Sequence, residues 1–158
     1  MAENEGTGTL QSIWTKRGKQ GPMDPQSRAR LDAGSGLAGS ADQGGHRQVT
    51  IIELEKWREM MIELGTDLDP STRRANLMVV GLKLTETRGR VLRVGGCRLR
   101  ILGETRPCRL MDESYPGLEE AMKSDWRGGV YAEVLDNGEI ATGDVVRWDD
   151  DATNAASH

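Results

Sequence analysis

The sequence predicts a mainly β fold, a closed sheet or barrel carrying about two helices. Three observations point there. About seven short segments alternate apolar and polar residues, the connections between them are short and rich in turn residues, and the chain holds 20 glycines but no phenylalanine. Alternation with a period of two marks strands with one buried face, and Gly, Pro, Asn and Asp between such runs mark their turns. A length of 158 residues suits one domain, and such a domain buries roughly two thirds of its unfolded surface without needing staples.

The domain is expected over residues 8–148, between a disordered start at 1–7 and a disordered acidic tail at 149–158. Residues 8–15 alternate like a strand, and 18–24 read as loop. Residues 33–45 form a glycine-rich loop with no core residue of their own, either a flexible linker or the wall of a ligand site. The loop leads straight into the strand at 47–52, which favours the wall. The clearest helix covers 53–65, where Trp57, Met60, Met61 and Leu64 repeat at helical spacing and Gly65 supplies the stop. This methionine-rich stripe is read as core packing. Residues 69–72 make a turn. Strands follow at 76–84 and 90–94, and then at 97–101, where Cys97, Leu99 and Ile101 share one face. Cys97 is therefore expected to be a buried, inert thiol. A second helix passes through 118–122. Residues 129–135 make a strand, Asp136-Asn137-Gly138 reads as a hairpin turn back along it, and 145–148 close the pattern.

A formal charge of −4 gives no global case for nucleic-acid binding, no run approaches the roughly 20 apolar residues of a membrane span, and no secretory signal opens the chain. A cytoplasmic location is the expectation. The arginines, however, are unevenly placed: nine fall between Arg73 and Arg109. A local basic surface on an acidic protein suits a small anionic ligand. Within it stands Cys108, between Arg106 and Arg109 and fixed by Pro107, which removes a backbone donor and restricts φ. Positive charge nearby favours the thiolate, which can ligate a soft metal or carry sulfur. The bland alternative is an ordinary loop thiol. Two cysteines and one internal histidine are too few for a structural zinc site, and a Cys108/His46 hydrolase pair lacks a third member.

An ordered set of residues carries a resemblance. Arg47-Gln48-Val49-Thr50, Arg74-x-Asn76-Leu77, Val94-Gly95-Gly96, Arg106-Pro107-Cys108, the run from Gly128 to Leu135, and Gly138-x-Ile140-x-x-Gly143-Asp144-x-Val146 together look like a MOSC domain. This is the C-terminal domain of molybdenum-cofactor sulfurases, found also as a small stand-alone bacterial domain and in amidoxime-reducing enzymes. The resemblance implies a closed β-barrel similar to the pyruvate kinase small barrel domain. It also implies that Cys108 is the molybdenum ligand or a persulfide sulfur carrier, and that Arg74 and Asn76 help hold molybdopterin. Arginine forks suit the cofactor's anionic phosphate, which brings in Arg106 and Arg47. Arg74 has the alternative of pairing with Glu53 or Asp69, and Arg47 that of pairing with an acid. Gly138 is assigned to the hairpin, and Gly143-Asp144 to turn geometry.

The activities implied are reduction of N-hydroxylated substrates or sulfur transfer, with an electron-transfer protein or a cysteine desulfurase as partner. Any pyridoxal phosphate would belong to that desulfurase. A non-catalytic cofactor-binding module or a scaffold is the alternative. One departure is Gly39-Ser40, where many stand-alone relatives carry Gly-Asp.

Overall fold

A computed structural model describes residues 6–18, 21–41, 45 and 47–149. The expected disorder of residues 1–7 and 149–158 lies outside the described residues except at 6, 7 and 149, where Thr7 opens β1 and the Asp149 N–H donates to the Val91 carbonyl at 2.8 Å; the histidine at 46 also lies outside. Eleven strands and three α-helices follow one another as β1 (Thr7–Lys16), β2 (Met23–Gln26), β3 (Arg28–Asp32), β4 (Gly36–Leu37), β5 (Val49–Glu53), α1 (Leu54–Leu64), β6 (Leu77–Val80), β7 (Val91–Val94), β8 (Cys97–Glu104), α2 (Leu110–Ser114), α3 (Leu118–Met122), β9 (Val130–Val134), β10 (Gly138–Ala141) and β11 (Val145–Trp148). A 3₁₀ turn at Pro70–Arg73 lies between α1 and β6.

Seven strands close into a barrel. Going round, β1 pairs with β6, then come β5, β9, β8, β7 and β11, and β11 returns to β1 through Thr7↔Arg147 and Thr9↔Val145. The expected closed barrel is thus observed. All pairs are antiparallel except β5 and β6, and that parallel pair needs a crossover, which α1 provides. Inward residues alternate along each strand as the pleat demands: Leu10, Ile51, Leu77, Val79, Leu92, Leu99, Ile101 and Ala132 are fully buried inside. Burying each large aliphatic side chain contributes about 1.5–3 kcal/mol.

The amphipathic face of α1 packs outside the barrel. Trp57, Met60 and Met61 meet Met111, Leu118 and Met122 of α2 and α3 in a second core. The indole N–H of Trp57 donates to the Leu68 carbonyl at 3.0 Å, and Gly65 ends the helix in the left-handed conformation at φ 66°. This second core fastens the segment after β8 to the helix before β6, and so positions the thiol loop.

Four expectations change. Residues 18–24 read as loop, but Met23–Gln26 form β2, paired with β1, and Arg28–Asp32, for which the sequence pattern offers no reading, form β3. Leu37, in the glycine-rich loop, is fully buried and pairs with β3 through Leu31↔Leu37. The segment after Pro107 forms α2, which no pattern announced. Most tellingly, Asp136-Asn137-Gly138 does not fold β10 back on β9. The chain swings away, and β10 pairs with β3 in a separate three-stranded sheet, β10-β3-β4. Side chains drive the diversion: Asp136 takes the backbone N–H of Arg98 at 2.9 Å, and Asn137 takes that of Ala33 at 2.7 Å. Gly138 is required there because a Cβ would stand 2.8 Å from the Cys97 sulfur. Gly143-Asp144 is a turn as expected, with Gly143 at φ 95° and the Asp144 carboxylate accepting from the Ala141 N–H.

Candidate functional site: a thiol loop among unpaired arginines

Strand β8 ends at Glu104, and its last backbone tie comes one residue later, where Thr105 N–H donates to the Gly129 carbonyl at 2.8 Å. Beyond that tie the chain leaves the barrel through Arg106 and Pro107 to Cys108. The Cys108 carbonyl then accepts from the Met111 N–H at 3.0 Å and begins α2. Cys97 is buried, as the alternation predicted, and Cys108, outside any strand as expected, is exposed. Arg106 and Arg109 flank the thiol on the exposed rim.

Underneath the loop sits Arg73, which the sequence reading passed over in favour of its neighbour. Its side chain is buried, with Nε donating to the Gly128 carbonyl at 2.9 Å and Nη2 to the Thr105 carbonyl at 3.3 Å. Its Nη1 faces the Met111 sulfur at 3.9 Å. Gly128 permits this approach, because a Cβ there would lie 2.5 Å from the Thr105 carbonyl oxygen. Burial pulls the Arg73 guanidinium down to about 10, the Cys108 side chain pulls it back up, and Arg47 adds a smaller downward push. Arg73, Cys108 and Arg47 are therefore brought together.

Arg74 occupies the left-handed position that ends the 3₁₀ turn, at φ 65°. The turn itself is capped by Asp69, whose carboxylate accepts from the Ser71 N–H at 3.0 Å. Asp69 is thus engaged with backbone, Glu53 pairs with Lys56 at 3.4 Å, and neither is Arg74's counterion. Instead the Nη2 of Arg74 is shut from solvent with no hydrogen-bond partner, and so is the hydroxyl of Thr105. Buried polar atoms are nearly always satisfied; Arg93 Nε and Arg127 Nε are likewise unpartnered, each on an arginine that is ion-paired through its other nitrogens, whereas Arg74 has no such pair and its neighbour Arg73 contacts Thr105.

Asn76 is buried and fully engaged. Its Oδ1 accepts from the N–H and hydroxyl of Thr50 at 3.1 and 3.3 Å, and its amide donates to the Trp14 carbonyl and the Ser40 hydroxyl, both at 3.4 Å. The Ser40 oxygen also accepts from the Lys16 N–H at 2.9 Å. Asn76 therefore ties the glycine-rich loop to β1 and β5, two residues from Arg74. Ser40 thus makes only neutral bonds. Arg47 is exposed and lies over the Tyr131 ring, 5.6 Å from its centroid.

Arg47, Arg73, Arg74, Arg106 and Arg109 make no ion pair with any described residue, as is also true of Arg58, Arg88 and Arg147, whereas Arg93 pairs with Asp149, Arg98 with Asp136, Arg100 with Glu133 and Arg127 with Glu59 and Glu63. Among the described residues no three His, Cys, Asp or Glu side chains converge on a metal position. A cavity of about 1060 Å³ opens elsewhere, along Glu53, Lys56, Thr87, Arg90 and Trp148. Glu53 and Lys56 are already paired there, and burial pushes the Glu53 carboxyl up. That cavity holds none of the thiol-loop residues. No described helix is long and apolar enough to cross a membrane.

A family model of the MOSC domain matches residues 37–147. Among solved structures, the YUAD protein from Bacillus subtilis superposes with a TM-score of 0.73 at 21% identity, covering 89% of this chain and 94% of that one. YiiM from Geobacillus stearothermophilus gives 0.70 at 18% identity, over 89% and 75%. YiiM from Escherichia coli gives 0.66 at 15%, over 89% and 69%. At these identities the likeness speaks for the fold. No match is found among curated proteins.

Proposed function

The chain belongs to the MOSC domain family, and from that premise we propose that the Cys108 loop and its arginines form a thiol site for molybdenum cofactor. The observation that carries this reading is the exposed Cys108 thiol beside arginines that lack carboxylates, with Arg74 Nη2 and Thr105 Oγ1 buried and unpartnered. These features fit the group: guanidinium forks pair with a phosphate, and a thiolate suits a thiophilic metal. Arg74, Arg106 and Arg47 would hold the anionic part, and Cys108 would ligate the metal. Asn76 acts by holding Ser40 and the loop wall in place. When bound, the cofactor would supply a metal centre for reducing an N-hydroxylated substrate.

The chain's own part follows from its residues. Arg106 and Arg109 on the rim attract an anion, and Arg73 keeps the loop docked. The Cys108 sulfur is offered to solvent rather than packed away. As a sulfur carrier, the Cys108 thiolate would attack the terminal sulfur of a desulfurase persulfide, forming a new S–S bond while the donor thiolate leaves. Pyridoxal phosphate enters only through that separate desulfurase. The exposure of Arg106, Cys108 and Arg109 favours a site completed by a partner, an electron-transfer protein or the desulfurase. The same exposure supports the second reading, a module that holds or delivers cofactor without turning over.

The test is elemental analysis for molybdenum on protein from a cofactor-producing host, beside Cys108→Ser. Near-stoichiometric metal that is lost in the variant is the expected result. Equal retention removes Cys108 as ligand. Absence from both overturns cofactor binding and leaves sulfur carriage, read by a 32 Da adduct on Cys108 after incubation with a desulfurase (about one sulfur atom).

A further inference from the structure

The geometry points to Arg73 as the positioning residue of the Cys108 site, a buried clamp that fixes the place of the thiol loop. The inference rests on the reading of that loop as the functional site. Two features carry it. First, the three nitrogens of one guanidinium reach the Thr105 carbonyl where the loop begins, the Gly128 carbonyl opposite, and the Met111 sulfur where the loop re-enters α2. One planar side chain thus spans the loop's two ends and the approach to β9.

Second, the approach is closed by glycine. At Gly128 a Cβ would collide with the Thr105 carbonyl and stand 3.3 Å from Arg73 Nη2.

The experiment compares full-length wild type with Arg73→Lys and Arg73→Met, without cofactor. Iodoacetamide labelling of Cys97, read by peptide mass, reports whether the barrel stays closed, and limited trypsin reports cleavage after Arg109. Both variants are expected to leave Cys97 protected, and cleavage after Arg109 to speed up about tenfold in Arg73→Met and less in Arg73→Lys, whose ammonium lacks the planar fork. A merely structural role would open the barrel as well, so that Cys97 labelling rose in step with cleavage.

Unchanged cleavage in a closed Arg73→Met protein overturns the inference, as does cleavage that rises in both variants only together with Cys97 labelling. If Arg73→Met leaves Cys97 open to reagent, the lysine variant alone decides: unchanged cleavage refutes the clamp. None of these readings needs molybdenum. A wild type that binds no cofactor yet shows them refutes the cofactor and spares the clamp, and the reverse result refutes the clamp alone.

Discussion

Strand β8 begins at one cysteine and delivers the chain to the other, and its two ends are electrostatic opposites. At the Cys97 end the thiol lies in the barrel core at 2% exposure. Burial pushes it up, Asp136 and Asp144 push further, and Arg93 opposes them weakly. The arginine that follows it, Arg98, is spoken for: its fork meets both oxygens of Asp136 at 2.9 and 3.0 Å. At the Cys108 end the thiol is outside, and no described carboxylate pairs with the arginines around it. The acids are not scarce in this chain, with 25 Asp and Glu against 21 Lys and Arg. Glu104, Asp112 and Glu113 stand near the loop in sequence, yet none of them pairs with its arginines, whereas at the other end of the same strand Arg98 is paired.

The comparison is broken most easily by the thiols themselves. A buried thiol reacts only when the barrel opens, which for an ordinary domain costs at least about 4–5 kcal/mol. Cys108 should therefore be alkylated roughly a thousandfold faster than Cys97 in native protein, with the two rates converging in denaturant. Comparable native rates, read by peptide mass, would dissolve the contrast.

Glycines sharpen it next, because each end has one that the neighbouring packing requires. Gly138→Ala puts a methyl 2.8 Å from the Cys97 sulfur, and Gly128→Ala puts one 2.5 Å from the Thr105 carbonyl. Overpacking of this kind costs about 1–3 kcal/mol. The first variant should melt earlier and label faster at Cys97. The second should leave Cys97 protected and speed trypsin cleavage after Arg109. Identical behaviour of the two variants would mean that the ends are not independent.

A smaller effect tests the unpaired charge directly. Inorganic phosphate at ten times its dissociation constant should stabilise the protein by about 1.4 kcal/mol, beyond a chloride control of equal ionic strength, and Arg74→Gln should remove the gain. A gain that survives in Arg74→Gln would place the anion elsewhere.

How far the sequence could be read follows the same physics. Period-two alternation in 97–101 and a 3.6-residue period in 53–65 exposed β8 and α1, since each writes its buried face into the chain. The buried Cys97 followed from that alternation, and the placing of Cys108 outside a strand from Pro107. Met-Asp-Pro-Gln, the whole of β2, shows no such alternation. It pairs only with β1 at the margin of the barrel, where proline is tolerated. The pairing of β10 with β3 is decided by Asp136 and Asn137 reaching back to Arg98 and Ala33, contacts of long separation that no local turn signal contains. Arg73 stayed hidden because nothing in Arg73-Arg74 says which one is buried. The left-handed backbone at Arg74 makes that choice.

The weakest test concerns the paired end and has a definite sign. Hydrogen bonds from the Arg98 side chain, more than burial or other charges, hold the Asp136 carboxyl below its ordinary range. A carboxylate depressed in the fold stabilises it above the unfolded value of about 3.9, and that contribution fades as pH falls through the lower folded value. The pair is part-exposed, at 37% and 29% of side-chain surface, so solvent screens it and the ion pair is worth under about 1 kcal/mol. Asp136→Asn should therefore be slightly less stable than wild type at pH 7, with the difference in urea midpoint shrinking steadily below about pH 4. The amide keeps an oxygen for the Arg98 N–H, so the β10 diversion should persist and Cys97 should stay protected. A midpoint difference that stays constant down to about pH 2.5 would show that Asp136 works there by shape, and that this end of β8 does not depend on its charge at all.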